Sequence, residues 1–158
     1  MHEILATEPS AQLVIAGKGE EEINLKNQVV DQGLKECVTF LGHVPNNQLI
    51  QWYNAADVFC LASSREGWAN VIMESMACGL PVVATKVWGA PEIITTPDVG
   101  ILVERNVESI AGGLIQALGK NWDKERIRAH VANRTWQVVA EEVKTVFDRL
   151  VSLKKKEF

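Results

Sequence analysis

The chain is poor in the residues that build the simplest reactive and metal-binding sites. It has three cysteines, Cys37, Cys60 and Cys78. They are odd in number, widely spaced and set in apolar surroundings, which fits buried thiols rather than a disulfide framework or a zinc centre. The three histidines, His2, His43 and His130, form no pair at metal-ligand spacing. Asp-x-Asp does not occur, so no divalent-metal clamp and no metal cofactor is expected. Long hydrophobic runs are missing too: no window reaches the ~18 apolar residues of a membrane span, and no signal-peptide pattern opens the sequence. That predicts a cytoplasmic protein. Sixteen Lys and Arg against 20 Asp and Glu give a net charge of −4, which argues against a nucleic-acid partner.

What is present is ordinary for a folded domain. With 158 residues and 47% hydrophobic side chains, residues 1–158 are expected to bury one core as a single domain. Short apolar runs alternate with segments of helical spacing. Leu13-Val14-Ile15-Ala16, Val38-Thr39-Phe40-Leu41, Val58-Phe59-Cys60-Leu61, Val82-Val83-Ala84 and Gly100-Ile101-Leu102-Val103 read as strands. Helices are expected over 20–35, with Ile23, Val29 and Val30 turned to the core, and from Asn46 or Asn47 as a cap. Others are expected over 107–118, 122–132 and about 135–153. This alternation predicts an α/β fold, a Rossmann-like doubly wound parallel sheet with flanking helices. The last helix carries an apolar stripe, Val139, Val143, Val146, Phe147, Leu150 and Val151, of the kind that faces a core or another domain. The lysines at 154–156 are read as a solvated end, with contact to an anionic membrane surface as the alternative.

The most informative stretch is Ser64-Arg65-Glu66-Gly67-Trp68-Ala69-Asn70-Val71-Ile72-Met73-Glu74-Ser75-Met76-Ala77-Cys78-Gly79. It lies between two strands, so it is the loop and helix of a βαβ unit. The helix is predicted to start with Asn70 as its cap and to stop at Gly79, with Pro81 blocking continuation. Glu66 falls in the loop and Glu74 about one turn inside the helix. Both can then look into the crevice outside the strand's carboxyl end, where open α/β sheets bind ligands. The helix is apolar almost all round, so Glu74 needs partners. Ligand hydroxyls would serve, and so would a nearby Lys or Arg; Glu66 could equally cap a turn. Gly17-Lys18-Gly19 ends the first strand as either a tight turn or a phosphate-facing loop.

Glu66-Gly67, six residues, Glu74, then Met76-Ala77-Cys78-Gly79-Leu80-Pro81-Val82-Val83-Ala84 and Gly89-Ala90-Pro91-Glu92-Ile93-Ile94 resemble the C-terminal domain of family four retaining glycosyltransferases of GT-B fold. The stretches 13–19, 38–44, 56–58 and 100–103 resemble it in the same order. The resemblance implies the nucleotide-sugar half of a two-domain transferase acting in polysaccharide, lipopolysaccharide or glycolipid assembly. Glu66 would be the catalytic residue, meeting donor-sugar hydroxyls beside the anomeric carbon, and Glu74 would hold the ribose hydroxyls. Gly67, Trp68, Ala69, Asn70 and Val71 would contact the sugar and diphosphate, Val44 would border the nucleobase, and Gly17 would wall the crevice.

The partners implied are a nucleotide diphosphate sugar as donor, without metal, and a glycan or glycolipid acceptor held by an N-terminal domain. The location implied is the cytoplasm, including the inner face of the cell membrane. The resemblance also implies that residues 1–158 are N-terminally incomplete and lack the domain's first, central strand. Leu13–Ala16 is then expected either to face a gap or to pair directly with residues 58–61, and the chain alone would not transfer sugar. The alternative is a non-catalytic truncated or split module that assembles with a separate N-terminal domain.

Overall fold

The computed structural model describes residues 1–154. In chain order its elements are α1 (His2–Thr7), β1 (Leu13–Ala16), α2 (Glu22–Asp31), β2 (Val38–Gly42), α3 (Asn46–Ala55), β3 (Phe59–Leu61) and α4 (Asn70–Ala77). They continue with β4 (Val82–Thr85), α5 (Ala90–Ile93), β5 (Gly100–Val103), α6 (Val107–Gly119), α7 (Lys124–Val131) and α8 (Trp136–Lys154). The expected strand and helix order is observed, with ends that move by a few residues.

Every strand pair is parallel, as the alternating pattern requires. β4 lies between β3 and β5, with Val82 opposite both Phe59 and Gly100 and Ala84 opposite both Leu61 and Leu102. All four residues of β4 are buried, which is why it reads as an unbroken apolar run. Ile72 and Met76 of α4 pack with Val82 and Ala84, joined by Ile127 of α7, in the main core. Val83 and Val103 form a second cluster with Ala117 of α6. Gly113 of α6 is needed there because a Cβ would press into Val103 and Val83.

The sheet is split. β1 and β2 form one ladder, with Leu13 opposite Val38 and Ile15 opposite Phe40, and among the described residues no ladder joins β1 to β3. Of the two arrangements expected for β1, the gap is the one observed. A two-stranded sheet offers little apolar area, and α2 pays for it in exposure. It has no buried residue: Val29 reaches the cluster of Leu34, Cys37 and Val38, while Ile23 and Val30 stay exposed, contrary to expectation. α1 ties the parts together: Met1 and Leu5 pack on that cluster, and the helix also touches α6.

Two predicted caps are corrected. Ala69 holds the cap position of α4, and Asn70 is the first helical residue with its side chain on a cavity wall. Pro45, already extended at φ −60° and ψ 143°, takes the cap position of α3 in place of Asn46 or Asn47. The stop at Gly79 is as read. Its φ of +77° suits glycine, and Leu80 N–H donates to Ser75 C=O at 3.1 Å, closing the helix. Cys37, Cys60 and Cys78 are free thiols. Among the described residues no helix is long and apolar enough to cross a membrane. The predicted lysine end lies outside the described residues, apart from the backbone of Lys154.

Candidate functional site

Glu66 is held from below. Thr85, the buried last residue of β4, donates its hydroxyl to the Ser63 carbonyl at 2.7 Å. Ser63 in turn donates its own hydroxyl to Glu66 Oε1 at 2.6 Å. One carboxylate oxygen is thereby fixed by strand-end geometry and the other is left to accept from elsewhere. The loop that follows is braced by its neighbour after β4. A Cβ on Gly89 would collide with the Gly67 carbonyl oxygen, whereas a Cβ on Gly67 would meet nothing within 4 Å. The backbone at Gly67 therefore faces open space while its back rests on Gly89.

Glu74 stands on the exposed side of α4. The phenol of Tyr53 on α3 donates to its Oε2 at 3.4 Å. Tyr53 is buried and packs edge-on against Phe59, ring centres 5.6 Å apart. Burial first, and then the charge of Glu74 and the hydrogen bond to it, push the phenol up to about 12. Glu74 lines a cavity of about 410 Å³ between α4 and the α7–α8 corner, together with Trp68, Asn70, Arg134 and Trp136. The ion pairs among the described residues involve neither Glu66 nor Glu74. The alternative in which a Lys or Arg neutralises Glu74 is not what the structure shows. Arg134 is engaged elsewhere, with Glu142 at 2.6 Å and over the face of Trp68 at 5.3 Å.

The remaining candidates divide. Trp68 donates Nε1–H to Met73 Sδ at 3.0 Å, which lays its ring along α4. The side chain of Ala69 is buried and that of Val71 packs on the core, so these two offer backbone rather than side-chain contacts. Gly17, at φ +138°, donates its N–H to the Gly42 carbonyl at 2.7 Å, and Val44 is half-buried beyond it. That corner ends the β1–β2 ladder, so the structure does not bring Gly17 and Val44 onto the cavity that Trp68, Asn70 and Glu74 share. Lys86 pairs with Glu104 at 3.2 Å on the surface, a contact worth about 0–1 kcal/mol.

Sequence reasoning missed Tyr53 as a partner of Glu74, Ser63 and Thr85 behind Glu66, and Arg134 on the cavity. Ser63 lies only three residues before Glu66, so this one contact is local in sequence. Tyr53, Thr85 and Arg134 meet the site only through tertiary contacts.

A family profile described as "Glycosyl transferases group 1" matches residues 1–136. The chain is 33% identical to a GDP-mannose-dependent monoacylated alpha-(1-6)-phosphatidylinositol monomannoside mannosyltransferase from Corynebacterium glutamicum, over 92% of this chain and 41% of that protein. It is 30% identical to a D-inositol 3-phosphate glycosyltransferase from Corynebacterium jeikeium, over 94% of this chain and 38% of that one. It thus spans about two fifths of the length of both relatives. Among solved structures it is similar to the pneumococcal O-GlcNAc transferase GtfA in complex with UDP and GlcNAc. The TM-score is 0.75 at 18% identity, over 94% of this chain and 31% of the other. On sequence and fold together, the chain belongs to the glycosyl transferases group 1 family and carries its GT-B type of Rossmann-like domain.

Proposed function

We propose that this chain is the donor-binding half of a retaining glycosyltransferase that moves a sugar from a nucleotide diphosphate sugar to a polysaccharide, lipopolysaccharide or glycolipid acceptor. One observation supports it above the rest. Two carboxylates flank the start of α4, both free of ion pairs among the described residues, one braced by Ser63 and the other on an open cavity. Carboxylates kept apart from cations suit vicinal hydroxyls, where each charge-assisted hydrogen bond contributes roughly 1.5–3 kcal/mol in a shielded site.

In this reading Glu74 accepts from the ribose hydroxyls, and the remaining oxygen of Glu66 accepts from the donor sugar. The fixed negative charge of Glu66 beside the anomeric carbon favours the positive charge that grows there as the diphosphate departs. Backbone N–H groups of Gly67 to Val71 face the sugar and diphosphate at the positive end of α4. Val44 borders the base and Gly17 walls the crevice, both from the β1–β2 ladder and off the cavity that Glu74 lines. A divalent metal has no part in the proposal. The acceptor is held by an N-terminal domain, for which relatives of more than twice this length leave room. The work is placed in the cytoplasm at the inner face of the membrane, and the phosphatidylinositol in the name of one relative supports the membrane part of that reading.

Calorimetric titration with UDP, GDP and ADP, each with and without its sugar, tests the reading. Saturable binding of one nucleotide series, lost in Glu74→Ala, is expected. A folded sample that binds none of them, with the remainder of the polypeptide restored, would contradict it and support the non-catalytic module instead.

A further inference from the structure

The loop that carries Glu66 is held at both ends and has little support between them. Ser63 fixes the carboxylate. From Ala69 onward the backbone belongs to α4, where Ala69 is buried and Val71 packs on the core. Only Gly67 and Trp68 lie in between. Gly89 backs the Gly67 carbonyl, but a Cβ on Gly67 would meet nothing within 4 Å, and glycine leaves the backbone free to turn there. What ties this pair to the rest of the domain is the Trp68 side chain.

Two groups grip that ring. Met73 Sδ accepts its Nε1–H at 3.0 Å, and the guanidinium carbon of Arg134 stands 5.3 Å from its centroid. Arg134 is itself anchored twice. Its backbone N–H donates to the Val131 carbonyl at 3.0 Å, at the end of α7, and its Nη1 donates to Glu142 of α8 at 2.6 Å. Its Nε is buried and has no hydrogen-bond partner among the described residues. A guanidinium placed to satisfy its donors does not leave a buried N–H unpaired. One placed to lie against an indole face can, because the flat cation is drawn to the ring itself.

We propose that Arg134 is a positioning residue for the donor sugar. It acts through Trp68: holding the ring holds the Gly67–Trp68 backbone beside Glu66, and with it the N–H groups that face the sugar. The end of the loop that serves the diphosphate, Ala69 to Val71, is kept in place by α4 and does not depend on Arg134. Glu142 carries the link into α8, so the α7–α8 corner sets how firmly the sugar-facing loop is held. The inference rests on the reading that Glu66 and this loop meet the donor sugar.

Calorimetric titration with UDP and UDP-glucose, GDP and GDP-mannose, and ADP and ADP-glucose tests this, with the remainder of the polypeptide restored. For the pair that binds wild type, Arg134→Ala is expected to weaken the sugar conjugate roughly two- to fivefold, the worth of an exposed cation–π contact. The bare nucleotide diphosphate should bind unchanged. Arg134→Lys keeps the charge without the flat guanidinium and should show the same split to a smaller degree. Trp68→Ala should also weaken the conjugate, and adding Arg134→Ala to it should cost nothing more, because the contact through which Arg134 acts is gone. Circular dichroism confirms that the variants are folded. If either Arg134 variant weakens both ligands alike, or the losses in the double variant simply add, the proposal fails while the donor reading stands. A wild type that binds none of the pairs sinks the donor reading and this proposal with it.

Discussion

Tyr53 and Glu74 lie 21 residues apart and on different helices, yet the phenol of one donates to the carboxylate of the other at 3.4 Å. Tyr53 is the only tyrosine in the chain, so the ultraviolet signal of the phenolate reads this contact alone. In the folded protein the phenolate should appear near pH 12 rather than near the ordinary value of 10.0. Glu74→Gln removes the charge and should bring the midpoint down, though burial, the larger cause, keeps it raised. An unchanged midpoint in that variant would remove Glu74 from the contact.

The same shift predicts a stability change at high pH. The fold holds the neutral phenol, so the unfolded chain loses its proton first. The stabilisation from the raised value is complete below about pH 10 and is lost as the pH climbs towards about 12. Chemical denaturation across that window should show a fall in stability that is shallower in Tyr53→Phe. Equal slopes for the two proteins would contradict this.

Gly67 and Gly89 should answer differently to the same added methyl group. Gly89→Ala drives a Cβ into the Gly67 carbonyl, while Gly67→Ala finds open space. We expect Gly89→Ala to lose about 1–3 kcal/mol in denaturant unfolding as the two loops are forced apart. Gly67→Ala should stay within about 0.5 kcal/mol of wild type and lose donor affinity instead. Equal stabilities for the two variants would mean that the loops are not braced as described.

How much of this was readable in advance follows from what each residue touches. The unit from β3 through α4 to β4 was legible because its signals are local: an unbroken apolar run for a strand buried on both faces, a glycine at the helix end, two carboxylates at fixed spacing. The helix caps were read less well. Asn70 is a good cap by type, but here its side chain turns to the cavity and Ala69 takes the cap position. Ile23 and Val30 had helical spacing and still ended exposed, because periodicity marks an apolar face without saying whether anything covers it. Tyr53, Thr85 and Arg134 reach the site through tertiary packing and left no trace in the local pattern.

Core packing gives a direct check on that contrast. Ile72 is fully buried and Ile23 is 72% exposed. Ile72→Ala should cost about 2–5 kcal/mol, as cavity-forming changes do, and Ile23→Ala should fall within about 0.5 kcal/mol of wild type. A large loss at Ile23 in denaturant unfolding would mean that α2 is covered in solution.

The division of labour between the two carboxylates is tested by one set of affinities: wild type, Glu66→Gln and Glu74→Ala, each titrated with the nucleotide diphosphate and with its sugar conjugate. Glu74→Ala should weaken both ligands by a similar factor, since both carry the ribose. Glu66→Gln should weaken the sugar conjugate and leave the bare nucleotide diphosphate unchanged. If Glu66→Gln weakens both ligands alike, or Glu74→Ala weakens neither, these two side chains do not share the donor as proposed.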